Sequence, residues 1–355
     1  MEKAALSIPT DWSGITPEWM TTALSSHFPD VEVADVSVLF RDDGTNRRAR
    51  LGVTYSAGNG PATVFAKASD PAHSELNARM GGLFNEPRLF QSAVDLRLDR
   101  PAPYAAVIDE PGFNYVIVME DVSARGADPL DATRSISVEQ AKHAVRALAR
   151  MHSGFWGRRI EDYAALAWVE PYVPWTGMGS KIPVAIELMG DTCPKEVQAM
   201  TVKEIIEDNW APYVDSLTRS PQTFLHGDAH IGNTYALPDN EIGFLDWQVV
   251  RRGNWSVDIG YFLQGALTVE DRRRHEREIL DEYRSALELS PEERPSAGEV
   301  FLRYRASASH GLAVWLATLS RPGWQRTEVS LSLAQRYSAA FVDLETRAAV
   351  EAVRS

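Results

Sequence analysis

Segments typical of strands and segments typical of helices are separated along this 355-residue chain instead of alternating. A helical run from Pro17 to about Ser26, with Thr16 as its N-cap, comes first. Apolar and polar residues then alternate, with many β-branched positions, in segments 31–40, 49–56, 62–69 and 114–120. Strands followed by helices predict an α+β fold and not a doubly wound parallel sheet.

The helical part of the sequence begins near residue 137, where Ser137 and Gln140 have the spacing of a capping box. Further helices are predicted at about 180–190, 195–218, 269–288, 296–319 and 328–350. We therefore predict a sheet-rich N-terminal lobe over residues 1–120 and a larger helical lobe over residues 121–355. A linker near 120–136 joins them.

Composition narrows the functional classes. The chain is 44% hydrophobic and 24% charged, which is ordinary for a folded protein, and its net charge is −13. That charge argues against nucleic-acid binding and against adhesion to anionic membranes. The single cysteine, Cys193, rules out an intrachain disulfide and a Cys-rich zinc site. With no signal-like or membrane-spanning apolar run, we expect a cytoplasmic enzyme without membrane insertion.

Two neighbouring segments concentrate polar residues of catalytic types: FLHGDAHIGNTY (224–235) and EIGFLDWQVV (241–250). Asn233 lies five residues after Asp228, and Asp246 lies eighteen residues after Asp228, behind a short apolar run. This is the spacing of a catalytic base and two magnesium ligands in the protein-kinase signature. The base must reach the acceptor hydroxyl, while the other two side chains must meet where a metal bridges the phosphates.

HGDAHIGN together with FLDWQ resembles the aminoglycoside phosphotransferase and choline kinase family, and DAHIGNTY with DWQ is most similar to its ecdysteroid-kinase-like branch. The resemblance covers about residues 30–350. It implies a two-lobed protein-kinase-like fold and transfer of the γ-phosphate of ATP to a small-molecule hydroxyl. By the same resemblance, Asp228 is the catalytic base, and Asn233 and Asp246 bind Mg²⁺.

The resemblance also implies supporting roles around this loop. His226 is expected to contact the loop backbone, and His230 to pack or hydrogen-bond beneath it. Asp258, in WSVDIGYFL, matches a family aspartate that braces the catalytic loop. A plain helix-start carboxylate is the alternative interpretation of Asp258.

The small lobe of this family supplies a lysine and a glutamate. Lys67 lies in VFAKAS, a predicted strand of otherwise apolar and small residues. A lone lysine in such a strand usually faces solvent, but the resemblance favours a functional one. Glu86 is the better match for its partner, with Glu75 as the alternative. Because Pro87 follows Glu86, we expect Glu86 at the start of a helix.

The loop that would cover the phosphates, DDGTNRRAR (42–50), lacks the glycine pattern of protein kinases. The backbone amides of Gly44, Thr45 and Asn46 are predicted to meet the phosphates, and one of the two arginines that follow could assist them. The alternative is a simple hairpin turn with two solvated arginines.

The predicted hinge follows the apolar strand NYVIVME (114–120). Backbone groups from Glu120 to Val122 are expected to face the adenine ring. This prediction comes from the fold that the resemblance implies, and it depends on no side chain.

The acceptor is predicted to bind in the helical lobe, where segment 155–175 is rich in aromatic residues that suit an apolar alcohol. They are Trp156, Tyr163, Trp168, Tyr172 and Trp175, with Trp315, Trp324 and His310 as further candidates. Core packing is the alternative for these residues. Acidic residues are sparse in DLETR (343–347), which disfavours a polycationic aminoglycoside, although sterol-like, macrolide, aminoglycoside and choline-like alcohols all stay open.

Two other functions are compatible with the sequence. His226, Asp228 and His230 alternate along an extended segment and would share a face, as metal ligands of a hydrolase. That interpretation leaves Asn233 and Lys67 without a task. A catalytically silent, nucleotide-binding protein of the same fold is the other alternative.

Overall fold

The computed structural model describes residues 6–43, 46–79, 81–174, 177, 179–219 and 221–354. The chain forms two compact units. The first contains its described residues up to 94, together with 100–128 and 246–249. The second contains 95–99, 129–245 and the chain from 250 onward. Among the described residues, no helix is both long and apolar enough to cross a membrane.

The first unit is built on a five-stranded antiparallel sheet in the order β1-β2-β3-β5-β4. Its strands are β1 (Glu32–Asp43), β2 (Asn46–Ala57), β3 (Thr63–Ser69), β4 (Pro103–Asp109) and β5 (Asn114–Glu120). Its helices are α1 (Pro17–Leu24), α2 (Ser74–Arg79) and α3 (Asn85–Gln91). The sequence did not predict β4, an edge strand whose residues 103–108 are only half-buried and whose alanines give little strand signal.

The core of this unit lies between the sheet and α1. Thr16 caps α1 by accepting a hydrogen bond from the Trp19 N–H at 3.2 Å. Met20 of α1, Leu51 of β2 and Val64 of β3 are completely buried. Burial of such side chains contributes about 1.5–3 kcal/mol each. Because alternation places the apolar residues of a strand on one face of the sheet, it determines which face α1 covers.

The second unit is mainly helical. Its α-helices are α4 (Val138–Gly154), α5 (Ile182–Met189), α6 (Lys195–Gln198), α7 (Ala211–Ser216), α8 (Ser256–Ala266), α9 (Val269–Ala286), α10 (Ala297–Leu319), α11 (Thr327–Asp343) and α12 (Thr346–Arg354), and a π-helix spans Glu204–Trp210. Every residue of α8 is buried, and α8 packs against α10, which also contacts α11 and α12. The predicted capping box of Ser137 and Gln140 is present at α4.

Short strands carry the loops of interest in the second unit. They are β7 (Thr223–Leu225), β8 (Thr234–Ala236), β9 (Ile242–Phe244) and β10 (Arg251–Gly253), and β6 (Asp128–Pro129) lies where the chain enters this unit. β8 and β9 form an antiparallel pair, and so do β7 and β10.

Two predicted long helices are interrupted, so those predictions are wrong at the breaks. The helix expected at 195–218 stops after Gln198 and resumes after Thr201, which forms a capping box with Glu204 through bonds of 2.8 and 3.2 Å. The helix expected at 328–350 divides into α11 and α12 because Glu345 adopts a left-handed conformation, with φ of 48°.

Candidate active site

The segment singled out in the sequence forms a loop between β7 and β8. It contains residues 226–233 and ends in a 3₁₀ turn, Ile231–Asn233. The chain then makes the β8–β9 hairpin and returns to Leu245, whose N–H donates to the Asn233 carbonyl at 2.7 Å. The end of the hairpin is thereby tied to the end of the loop.

Asp228 and Asn233 are in direct contact. The Asn233 Nδ2 donates to the Asp228 carbonyl at 2.9 Å and to the Asp228 Oδ2 at 3.0 Å. The side chain of Asp228 is 29% exposed. A carboxylate that is oriented by a neighbour yet reachable from solvent suits a group that must receive a proton from a bound alcohol.

His226 is buried and uses both ring nitrogens inside the protein. Nδ1 accepts from the Asp228 N–H at 3.3 Å, so Nε2 carries the ring proton and donates to the Leu245 carbonyl at 2.8 Å. A zinc ligand needs a ring nitrogen with its lone pair directed at the metal. Over the described ranges, no group of three or more His, Cys, Asp or Glu side chains is placed to hold a metal ion. Both observations argue against the metallohydrolase.

Asp258 lies in the first turn of α8, and its fully buried carboxylate accepts hydrogen bonds from the loop of residues 226–233. The donors are the N–H of His226 at 2.8 Å and the N–H of Gly227 at 2.9 Å. The His152 Nε2 lies 3.3 Å from the same carboxylate, and the His152 Nδ1 lies 2.9 Å from the Tyr283 hydroxyl. His152 was not among the predicted residues, because nothing in the local sequence of α4 distinguishes it.

His230 is hydrogen-bonded and packed beside the loop. Its Nδ1 accepts from the Gly232 N–H at 3.0 Å, and its Nε2 lies 3.9 Å from the Asp228 Oδ2. The ring meets Trp315 of α10 edge-on, with centroids 5.1 Å apart. The Nε2 proton therefore sits on the side of the ring nearest the Asp228 carboxylate.

Lys67 of β3 is buried at the centre of a charged cluster in the first unit. Its Nζ lies 2.7 Å from the Glu86 Oε2 and 2.8 Å from the Asp246 Oδ1. Burial lowers the pKa of Lys67, but the attraction of Asp246 and Glu86 outweighs it and the pKa is raised overall. Lys67 is therefore a permanent cation, and it is not the solvent-facing lysine that is usual in such a strand.

Glu86 is the ion-pair partner of Lys67, so the first of the two candidate glutamates occupies that position. It lies in the first turn of α3, which begins at Asn85 and accommodates Pro87 near its start. The second oxygen of Glu86 accepts from the Trp247 N–H at 3.2 Å. Burial raises the pKa of Glu86, while Lys67 opposes that increase.

The predicted phosphate-covering loop is described only in part, since Gly44 and Thr45 lie outside the described residues. Asn46, at the start of β2, is 4% exposed. Its Nδ2 donates to the Gln248 Oε1 at 2.7 Å, and its Oδ1 accepts from the Tyr115 hydroxyl at 3.0 Å. Both polar atoms of the Asn46 side chain are thus hydrogen-bonded within the first unit. The prediction of a phosphate contact concerns the backbone amide of Asn46.

The two arginines after Asn46 are not simply solvated, so that alternative is wrong for their side chains. The Arg47 Nε donates to the Ser69 carbonyl at 2.9 Å. Arg48 forms an ion pair with Asp42 across the hairpin at 2.6 Å. Arg48 therefore braces the β1–β2 hairpin, whereas Arg47 links β2 to the end of β3.

The predicted hinge runs from the end of β5 into a 3₁₀ turn, Val122–Arg125. The Glu120 N–H donates to the Ala102 carbonyl at 2.8 Å, and the Val122 carbonyl accepts from the Ala127 N–H at 3.3 Å. Asp121 caps the turn. These bonds fix the course of the backbone through the segment.

Four of the seven proposed acceptor residues that the structure describes belong to the core. Trp156, Tyr172, Trp315 and His310 are buried, which contradicts an acceptor-contacting role and supports the packing alternative for them. Tyr163 and Trp324 are exposed and Trp168 is half-buried, whereas Trp175 lies outside the described residues. Only the exposed or half-buried residues can still meet an acceptor.

Comparisons with known proteins bear on both family and fold. The sequence profile described as the ecdysteroid kinase-like family matches residues 88–292. Among curated protein sequences, none matches this chain significantly.

Solved structures of similar fold include three that cover 88–92% of this chain. A Ralstonia eutropha protein assigned as an aminoglycoside phosphotransferase has 17% identity and a TM-score of 0.52, covering 88% of this chain and 92% of its own. A choline kinase from Streptococcus pneumoniae has 14% identity and a TM-score of 0.51, covering 92% and 98%. A Plasmodium vivax ethanolamine kinase has 10% identity and a TM-score of 0.50, covering 88% and 83%. At such identities the likeness concerns the fold, and it confirms the predicted kinase-like α+β class.

Proposed function

The chain belongs to the ecdysteroid kinase-like family, and from this premise we propose that it transfers the γ-phosphate of ATP to a hydroxyl of a small molecule. The observation that carries the proposal is the contact between Asp228 and Asn233 on a braced loop. The buried pair of Lys67 and Glu86 supports it, because a fixed cation beside a carboxylate suits a phosphate donor.

We assign Asp228 as the base. Its carboxylate would accept a hydrogen bond from the acceptor hydroxyl and take the proton as the new oxygen–phosphorus bond forms. The bond between the γ-phosphorus and the β,γ-bridging oxygen of ATP would break in the same transfer, with ADP as the leaving group. The hydrogen bond from the Asn233 Nδ2 keeps the Asp228 Oδ2 from rotating away before transfer. Most of the rate acceleration would come from positioning and electrostatics, as in other phosphoryl transfers.

We assign Asn233 and Asp246 as the residues that would hold Mg²⁺. Both offer oxygen atoms, which this ion prefers, and the Asp246 side chain is 34% exposed. Leu245, bonded to both His226 and Asn233, directly precedes Asp246, so the chain leads from the loop into the second carboxylate. The chemistry that Mg²⁺ supplies when bound is charge compensation at the phosphates.

The nucleotide would contact the first unit. Lys67 would donate to phosphate oxygens while Glu86 holds its ammonium group in place. The backbone amides of Gly44, Thr45 and Asn46 would lie against the phosphates, and backbone groups from Glu120 to Val122 against adenine.

An apolar alcohol, sterol-like or macrolide, is the acceptor class that we favour over an aminoglycoside or choline-like one. Exposed large apolar side chains of the second unit support this choice. They are Tyr163, Val173, Val184, Leu188 and Trp324.

The test is an ADP-release assay over a panel of sterols, macrolides, aminoglycosides and choline, each with ATP and Mg²⁺. For Asp228→Ala we expect at least about a 100-fold lower kcat, because a positioned base contributes about 10²–10⁴-fold. ATP binding, followed by thermal shift, should survive. Asp281→Ala, an exposed aspartate on α9, is the matched control.

The same assay separates the alternatives. Normal turnover by Asp228→Ala would overturn the assignment of the base. ATP binding without ADP release for any alcohol would favour the silent protein. Stoichiometric zinc in the purified protein, with no response to ATP, would favour the metallohydrolase instead.

A further inference from the structure

A line of hydrogen bonds crosses the core of the second unit from the π-helix to the catalytic loop. The Trp210 Nε1 donates to the His310 Nδ1 at 3.1 Å. The His310 Nε2 lies 3.3 Å from the Tyr172 Oη, and that hydroxyl donates to the Gly227 carbonyl at 3.2 Å. Trp210, His310 and Tyr172 are each 1% exposed, so water does not compete for these bonds.

Only one arrangement of protons satisfies this line. An indole nitrogen can only donate, so the His310 Nδ1 must accept and its Nε2 must carry the proton. The Nε2 then donates to Tyr172, whose own proton goes to the Gly227 carbonyl. Burial lowers the pKa of His310 to about 3 and raises the pKa of Tyr172 well above its usual value. Both groups therefore stay neutral at physiological pH, and every bond points toward the loop.

The line ends on the peptide that leads into Asp228. Its carbonyl edge, at Gly227, accepts from Tyr172, and its N–H edge, at Asp228, donates to His226 at 3.3 Å. Gly227 has a φ of 80°, a left-handed conformation that glycine adopts without strain. Since glycine also permits other conformations, contacts on both edges are needed to hold this peptide in one orientation. Rotation of the peptide would turn the Asp228 side chain with it.

We propose that Trp210, His310 and Tyr172 form a positioning relay that orients the Gly227–Asp228 peptide, and thereby Asp228, for the phosphotransfer proposed above. The three are positioning residues, since none of them touches the reacting atoms. The inference rests on the proposed function for its effect on rate, but not for its effect on the loop.

The relay also gives the π-helix a role. π-turns are rare and frequently occur at functional sites. Trp210 is the last residue of the π-helix, and one extra residue per turn rotates the downstream side chains by about 100° relative to an α-helix. We infer that this rotation directs the indole of Trp210 toward His310 on α10.

The decisive comparison is Tyr172→Phe against Tyr213→Phe in the full-length chain. Tyr213 is also 1% exposed, and its hydroxyl meets Ser256 of α8 at 3.0 Å instead of a backbone group of the loop. Each substitution removes one buried hydroxyl, so a general loss of stability should be similar in the two variants. For Tyr172→Phe we expect about a tenfold lower kcat with an unchanged KM for ATP. Tyr213→Phe should retain the wild-type kcat.

Two further measurements complete the test. Trp210→Phe, which removes the donor at the far end, should lower kcat in the same direction but by less. Amide hydrogen exchange of the 224–231 segment should be faster in Tyr172→Phe than in Tyr213→Phe. This exchange difference requires no turnover.

The outcomes distinguish the two proposals. If the wild-type protein turns over no alcohol, the proposed function fails, and the exchange measurement alone decides whether the relay orients the loop. If turnover is present and Tyr172→Phe has the kcat of Tyr213→Phe, the relay is overturned. A rise in the KM for ATP with unchanged kcat would likewise overturn it, because misplacement of a base acts on the chemical step.

Discussion

Two buried carboxylates, one in each unit, are stabilised by different kinds of partner. Glu86 in the first unit is 2.7 Å from the ammonium group of Lys67, which also meets Asp246. Asp258 in the second unit accepts from the backbone N–H groups of His226 and Gly227. The first arrangement depends on the ammonium group of a buried side chain, and the second on dipoles of backbone groups in the folded loop.

The difference assigns distinct tasks to the two regions. A lysine between two carboxylates can exchange one anionic partner for another, which would suit the phosphate-binding role that we propose for Lys67. Backbone donors cannot exchange partners without distortion of the loop, which suits a group that must keep Asp228 in place. Loss of the Lys67 cation should therefore lower stability in a pH-dependent way. Loss of the buried Asp258 carboxylate should lower stability and also change the geometry of the loop.

Asp258→Asn should have the largest effect on stability. The amide is almost isosteric, but its NH₂ group would face a buried backbone N–H or His152, so at least one donor would lose its acceptor. We expect a loss of about 4 kcal/mol in the free energy of unfolding, because donors to a buried charged acceptor are costly to leave unpaired. Urea denaturation measures this loss, and we expect kcat to fall with it.

The control for this substitution is Asp281→Asn on the exposed surface of α9. It should leave the urea midpoint and kcat unchanged. If Asp258→Asn had the same urea midpoint as the wild type, the carboxylate would not be what holds the loop. The proposed difference between the two units would then be wrong.

Lys67→Met should have the next largest effect, about 3 kcal/mol at neutral pH and less in acid, because it leaves Glu86 buried without its cation. Burial already raises the pKa of Glu86 above 4.5, and loss of Lys67 should raise it further. Between the unfolded and folded pKa values the folded variant binds more protons than the unfolded chain, so its stability falls as pH rises. The deficit relative to wild type should therefore widen from about pH 5 to about pH 8.

Lys142→Met tests whether that pH dependence is specific to the buried cluster. Lys142 of α4 pairs with Glu139 and Glu278, two exposed glutamates. We expect its urea midpoint to stay close to wild type at both pH values. A deficit for Lys67→Met that did not change with pH would mean that Glu86 remains ionised without its partner.

Local structure was the part of this molecule that the sequence could predict. Asp228 and Asn233 are five residues apart, so their position in one short loop was predicted, although their direct contact was not. The alternating pattern of β2, β3 and β5 likewise predicted strands close to those observed. In each case the residues that determine the structure lie within a few positions of one another in the sequence.

Long-range contacts were not predictable in the same way. Trp210 and His310 are 100 residues apart, and His310 and Tyr172 are 138 apart, so their meeting depends on how α10 packs. His310 and Tyr172 were considered as acceptor contacts, because an aromatic or histidine side chain gives the same sequence signal in a core or a pocket. The break at Glu345 was missed because a left-handed glutamate carries no glycine to mark it.

Arg50→Gln should have the smallest effect, and it extends the comparison to a charge pair that is only partly buried. The Arg50 Nε lies 2.6 Å from the Asp121 Oδ2 at the predicted hinge, and the arginine side chain is 41% exposed. Asp121 keeps the Thr63 hydroxyl at 2.7 Å and the Ser123 N–H at 3.2 Å after the substitution. We therefore expect a loss of stability below about 1 kcal/mol, and this loss should shrink as the NaCl concentration rises from about 0.05 M to about 1 M.

Arg274→Gln on α9 is the fully surface-exposed reference for the salt dependence. If the Arg50→Gln deficit matched that of Lys67→Met and ignored salt, partial exposure would not weaken a charge pair in this unit. The distinction drawn between its buried cluster and its surface would then be lost.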